Sequence, residues 1–358
     1  MNFVIGLLAF ILMLGVIIMI HETGHFLAAR AFGVHCHEFS FGMGPALWQH
    51  QGKHTLFSIR AFPIGGYVAM AGETADEEDE DEDNWLKHVP EQEKLNHKPA
   101  WQQVIIMGAG VVMNFLLAWV LFSGILAAQG QISQDALPVV YEVLDNTPAA
   151  KAGLKAGDTI VKVTSEDGSV LEPETQNDVL EFMQYNHGVS TFEIERSGET
   201  IIVKMQPELD EESQVYLLGF TSQGRVRKIN LIEAVGEGWN EMVSSTQAIV
   251  RSLGTLLGGK GLDSLSGPIG IYKVTDQVVS YGLIPYLSLC ALISLNIGFF
   301  NLLPIPALDG GRILITLLER IFRRKIPMRI VQGVILASFA ALFGLMIFST
   351  YNDIMRFF

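Results

Sequence analysis

Cysteine is nearly missing from this 358-residue chain: Cys36 and Cys290 are the only two, and they lie far apart. That excludes a disulfide framework and a cysteine-built zinc site. Charge is scarce too. Asp, Glu, Lys and Arg make up 17% of the residues, where about 25% is usual for a soluble protein. Cations are the scarcer sign, and the net charge of −14 argues against nucleic acid as a partner. Nine acids fall in one run, 73–83; without it the chain stands at −5 (−14 plus 9). Such a run reads as a solvated loop. Internal repeats are missing as well, which counts against a transporter.

What the chain does have is apolar sequence, 49% of it, gathered in long blocks as in a membrane protein. Residues 3–20 carry no charge, and the apolar character continues to Ala29. No Lys or Arg precedes this block and no small-residue cleavage site follows it. It therefore reads as a retained transmembrane helix rather than a signal peptide. Further spans are expected at about 104–128, 283–303 and 331–348. The third is polar for a span, with Ser288, Ser294, Asn296 and Asn301. In the second, the small residues Gly108, Ala109 and Gly110 would admit a neighbouring helix closely.

Six cations, Arg312, Arg320, Arg323, Arg324, Lys325 and Arg329, crowd the loop between spans three and four. They assign that loop to the cytoplasmic side. With four spans, 30–98 shares that side, while about 129–281 and both termini face outward. The outward segment mixes short β-type runs with one helix-type run, TQNDVLEFMQ. Its piece 146–163, NTPAAKAGLKAGDTIVKV, resembles the Pro-Ala-x-x-Ala-Gly-Leu-x-x-Gly-Asp stretch of bacterial PDZ domains. YLLGF at 216–220 is a candidate peptide-binding strand. Residues 231–257 read as amphipathic helix lying at the membrane surface.

The chemistry sits at the end of the first apolar block, in His21-Glu22-Thr23-Gly24-His25. Residues four apart on a helix share a face, so both imidazoles can bind one Zn²⁺. Glu22 is placed to take a proton from the attacking water. Ionisable groups continuing an apolar span are costly and read as functional. A catalytic zinc needs a third protein ligand and an open position. Asp309, in NLLPIPALDGG just past the third span, is the candidate. Pro304 and Pro306 forbid a regular helix there, and Gly310 and Gly311 permit tight turns. Asp309 can equally serve as the N-cap of the helical run that follows. The cluster His35, Cys36 and His37 has poor spacing for a metal site.

The His-Glu-x-x-His motif in the first span and Asn-x-x-Pro-x-Pro-x-Leu-Asp-Gly after a later one together resemble the site-2 protease family of intramembrane metalloproteases. The single PDZ-like insert points to its bacterial regulator-of-sigma-E protease branch. The Ser-Gly-Pro-Ile run at 266–269 also matches, and the resemblance covers nearly the whole chain. It implies that His21, His25 and Asp309 bind one Zn²⁺ per chain, that Glu22 is the catalytic base, and that Asn301 contacts the substrate backbone. The stretch 63–68 (PIGGYV) is similar to the family's hairpin that dips into the membrane. Its Gly65, Gly66 and Tyr67 are candidate substrate contacts through an open strand edge.

The expected fold is a polytopic α-helical membrane protein with about four transmembrane helices, a membrane-associated β-hairpin region and an inserted α+β PDZ domain. The expected divisions are 1–30, the first helix with the zinc motif; 31–100, the hairpin region and acidic loop; 101–128, the second helix; 129–225, the PDZ domain. There follow 226–282, an interfacial segment; 283–311, the third helix with the Asp ligand; and 312–358, the basic loop and fourth helix. The resemblance further implies a bacterial inner-membrane protease with its active site toward the cytoplasm. It would make the second cut in transmembrane substrates, anti-sigma factors or signal-peptide remnants, within the lipid bilayer. The competing readings are a catalytically silent membrane-bound PDZ scaffold and a membrane-anchored protease acting on soluble loops.

Overall fold

The computed structural model describes residues 3–73, 85–134, 136–210, 215–257 and 267–357. Most of the acidic run, and Ser266 of the Ser-Gly-Pro-Ile run, lie outside them. The chain opens with α1 (Phe3–Ala31), β1 (Cys36–Gln51), β2 (Leu56–Met70) and α2 (Ala100–Gln129). There follow β3 (Gln131–Gln134), β4 (Glu142–Val143), α3 (Pro148–Lys151), β5 (Thr159–Thr164), β6 (Val170–Leu171) and α4 (Gln176–Tyr185). Next come β7 (Ser190–Arg196), β8 (Glu199–Met205), β9 (Glu208–Asp210), β10 (Val215–Leu217), β11 (Phe220–Thr221) and β12 (Arg225–Lys228). The chain closes with α5 (Leu231–Leu257), α6 (Pro268–Ser280), α7 (Leu283–Leu302), α8 (Asp309–Phe322) and α9 (Met328–Phe357). Two compact units result, one of Met1–Ala128 with Leu231–Phe358 and one of Gln129–Asn230.

In the helical unit, four helices are long and apolar enough to cross a membrane: Phe3–Ala31, Ala100–Gln129, Leu283–Leu302 and Arg329–Met355. Even the shortest, 20 residues, reaches about 30 Å, the thickness of a bilayer core. On the last, Leu336, Phe339 and Phe343 are exposed, an arrangement that water would penalise and lipid would not. α1 ends in a Schellman turn: Val34 N–H donates to Ala29 O at 2.8 Å and Gly33 N–H to Arg30 O at 3.1 Å. Gly33 supplies the required positive φ, +69°. The turn sends the chain straight into β1, and the hairpin folds back along α1.

That hairpin is bent. Phe39 pairs with both Phe57 and Val68, so the first half of β1 lies between the two halves of β2. The run from Gly66 to Met70 therefore forms an outer edge of the sheet. A polar knot fixes the bend: Glu38 accepts from Ser58 Oγ at 2.5 Å, Arg60 Nη2 at 2.7 Å and Tyr67 Oη at 2.7 Å.

In the second unit the sheet order is β6-β5-β7-β8, all antiparallel. Alternate residues Phe192 and Ile194 of β7 point inward, with Val163 of β5 and Val179 and Met183 of α4. Thr175 and Asp178 cap α4 reciprocally, a capping box. The run 216–220, expected as one strand, is split into β10 and β11 around Gly219, whose φ is +85°.

Asp158 is fully buried beside this sheet. Arg196 grips it with Nε and Nη2, each at 2.7 Å, and Lys155 N–H donates to it at 2.8 Å. Burial pushes the carboxyl up, but Arg196 and the Lys155 N–H outweigh burial and hold it below the usual carboxylate range. The pair's stabilisation is thus fully present above about pH 4 and fades as pH falls through the lower, folded-state value. Arg196→Met should leave a buried unpaired carboxylate and cost about 2–3 kcal/mol of local stability at pH 7. Hydrogen exchange of β5 and β7 amides in the full chain would measure it. The gap between variant and native should close in acid.

Candidate metal centre

His21 and His25 lie one turn apart on α1 and are 6% and 5% exposed. Their Nε2 atoms stand 3.1 Å apart. Asp309 Oδ2 is 3.1 Å from His21 Nε2 and 3.3 Å from His25 Nε2. Two ligands about 2.05 Å from a tetrahedral ion stand about 3.3 Å apart, so the triangle has the size a zinc ion needs. Asp309 Oδ2 is buried without a hydrogen-bond partner, as an acceptor waiting for a cation would be. The donor set, two imidazoles and one carboxylate, suits Zn²⁺ and leaves a fourth position open. Among the described residues this is the one His/Cys/Asp/Glu group of that kind.

The local sequence explains how Asp309 arrives. α7 stops at Leu302, and Leu303 turns extended just ahead of Pro304. The loop then folds over the start of α8, where a Cβ at Gly310 would collide with Leu302 O and one at Gly311 with Ile305 O. The two glycines therefore serve close backbone approach. Asp309 is the first residue of α8, after Leu308 as N-cap. It faces the histidines, and the N-cap role that the sequence also offered it falls to Leu308, with no side-chain capping bond. Arg312, one turn on, pairs with Glu73 at the end of the hairpin.

Glu22 is half-buried on the same turn as His21. Gly66 on the sheet edge passes beside it: a Cβ there would lie 3.6 Å from Glu22 Cγ and 2.8 Å from Ser40 O. Gly65, at φ +88°, sits against Met43, and the Tyr67 hydroxyl is spent on Glu38. Asn301 is half-buried on the last turn of α7. Away from this site, Cys36 is fully buried and His37 stacks on Trp85 with ring centres 4.2 Å apart.

Sequence reasoning missed the contribution of α2. His25 Nδ1 lies 2.8 Å from Ile106 O, and Asn114 Nδ2 lies 3.3 Å from His21 Nδ1. Gly24 of α1 meets the Ala109 carbonyl, closing the two helices tightly. A Cβ at Gly110 would collide with His25 Nε2 and come within 2.8 Å of His21 Nε2. The signal was present: Asn114 is a polar residue in the middle of an apolar span.

A membrane-type helical frame carrying a His-Glu-x-x-His helix and a converging carboxylate defines a metallopeptidase. The chain belongs to peptidase family M50, whose family model matches residues 9–345, and it is a zinc metalloprotease. It is 36% identical over 355 residues to a protein of Clostridium acetobutylicum that bears a zinc-metalloprotease name, covering 99% of this chain and 97% of that one. It is 31% identical over 428 aligned positions to the regulator of sigma-W protease RasP of Bacillus subtilis, covering 99% and 100%. Among solved structures, the PDZ domain of an SdrC-like protein from Listeria monocytogenes matches at 16% identity and a TM-score of 0.21, covering 25% of this chain and 90% of that one. The silent-scaffold reading gives way to that of an enzyme.

Proposed function

We propose that the chain hydrolyses peptide bonds within or next to transmembrane segments, with one Zn²⁺ held by His21, His25 and Asp309. The observation that carries the reading is the three-ligand triangle, two of whose corners stand on a helix long and apolar enough to cross a membrane. A bound zinc ion supplies Lewis-acid polarisation of the scissile carbonyl and a water acidified toward neutral pH. Glu22 receives that water's proton on its carboxylate and returns it to the leaving amine. A helical substrate must unwind before its peptide bonds can react. The Gly66–Met70 edge offers main-chain hydrogen bonds to the unwound segment, with Gly65 and Gly66 keeping it clear of side chains. Tyr67 holds the edge in place through Glu38, and Asn301 binds the substrate backbone.

The Gln129–Asn230 unit is assigned as a PDZ domain on the Pro148–Asp158 motif and its four-stranded sheet. On the outer face of a bacterial inner membrane it would act as a filter or tether, passing substrates already trimmed outside. The active site would then lie toward the cytoplasm, and the cut would be the second of two. Given what RasP is named for, anti-sigma factors fit as substrates, as do signal-peptide remnants.

The test is cleavage of a tagged single-span substrate, trimmed on its outer side, in membranes. Native protein should cut inside the span, and a membrane-permeant zinc chelator or Asp309→Ala should stop it. A cut mapped to a soluble loop, or one indifferent to the chelator, would overturn the reading.

A further inference from the structure

We infer that Asn114 is a positioning residue for the metal centre, holding the His21 ring in the tautomer that binds zinc; this rests on the three-ligand reading above. Ile106, Gly110 and Asn114 recur every fourth residue along α2 and so share one face. That face lies against the two histidines in antiparallel order. The Ile106 carbonyl meets His25, Gly110 touches both rings, and Asn114 meets His21.

Each histidine presents Nε2 to Asp309; to bind a zinc ion held there, Nε2 must carry the lone pair and Nδ1 the proton. His25 already has its acceptor, the Ile106 carbonyl at 2.8 Å. His21 needs one as well, and the neighbour of its Nδ1 is the Asn114 amide. That amide turns its nitrogen to His21 at 3.3 Å, while Asn114 Oδ1 is buried without any partner. The two ends of an amide are exchangeable by rotation, and the hydrogen-bond network decides between them. Exchanging them gives His21 Nδ1–H an acceptor and gives the orphaned oxygen a donor. Zinc-bound histidines ordinarily donate their second N–H to an oxygen in this way.

Asn114 is itself well held. It is 0% exposed, and its main-chain carbonyl accepts from Ser294 Oγ of α7 at 2.9 Å. Gly298, one turn beyond Ser294, packs on the Asn114 Cβ side. One residue thus joins α1, α2 and α7 at the level of the ligands.

The experiment titrates metal-stripped, full-length protein in detergent with Zn²⁺ against a competing chelator, and records Co²⁺ absorption bands for ligand geometry. Asn114→Ala should weaken Zn²⁺ binding by about 10- to 100-fold and alter the Co²⁺ bands, whereas Asn114→Asp, which keeps an acceptor, should stay within about threefold of native. Ser294→Ala breaks the bond between α7 and α2 without facing His21, and should leave Zn²⁺ affinity within about threefold of native. Native-like binding by Asn114→Ala would overturn the inference. So would equal losses in Asn114→Ala and Ser294→Ala, since the role would then be helix packing. If Asn114→Ala does not fold, a loss in Asn114→Asp as large as that of a ligand mutant overturns it in the same way. If the native protein binds no Zn²⁺, the metal centre itself fails; if it binds and Asn114→Ala matches it, only the present inference does.

Discussion

Glu22→Gln is expected to lower peptide hydrolysis by about 10³- to 10⁴-fold while the protein keeps its zinc. The side chain is half-buried on the turn that carries His21, and it is not one of the three converging ligands. Glutamine has nearly the same volume, so the fit beside Gly66 is preserved and only the proton acceptor is lost. Metal content by mass spectrometry and turnover on the trimmed single-span substrate separate the two effects. A variant that loses zinc as well would mean that Glu22 belongs to the metal shell. One that cuts at the native rate would remove it from the chemistry.

The second large effect is expected at Gly110. A single methyl group at this position would occupy the space of His25 Nε2 and press on His21 Nε2. The backbone could retreat only by giving up the close approach of Gly24 to the Ala109 carbonyl. Gly110→Ala should therefore weaken zinc binding by at least about 100-fold, on the scale seen when metal-site geometry is disturbed, and abolish cleavage. Gly108→Ala is the internal control. Nothing stands within 4 Å of a Cβ there, and alanine favours a helix by about 1 kcal/mol over glycine. That variant should bind zinc and cut as the native protein does. Equal behaviour of the two substitutions would refute the crowding argument.

The two glycines show what sequence can and cannot convey. Both sit in the same small-residue stretch, and the stretch does signal close helix approach. Which glycine faces the two histidines depends on how α2 is rotated against α1, and no local pattern encodes that. His21, Glu22 and His25 were legible as candidates because their spacing matches the helical repeat and their chemistry conflicts with an apolar span. Asp309 was legible as a candidate through the prolines and glycines around it. That it faces the histidines rather than capping α8 needed the folded loop, since the carbonyls that crowd Gly310 and Gly311 come from residues 302–305. The bend in the hairpin escaped the sequence for a similar reason. It depends on Glu38 reaching Ser58, Arg60 and Tyr67 across strands, which alternation of residue types does not reveal.

The metal triangle draws two corners from residues 21 and 25 and the third from residue 309, with the Gln129–Asn230 unit made in between. During synthesis the chain therefore carries two of the three converging side chains, without the third, for most of its length. A nascent chain that has placed α1, α2 and the second unit, but not yet α8, holds the two histidines against α2 with no carboxylate opposite them. Such a chain cannot complete the ligand set, however much zinc is present. On the proposed reading, proteolytic competence is thus acquired late, when the last 50 of the 358 residues, from Asp309 onward, dock. A protease built this way would be spared from cutting other proteins while it is still being made.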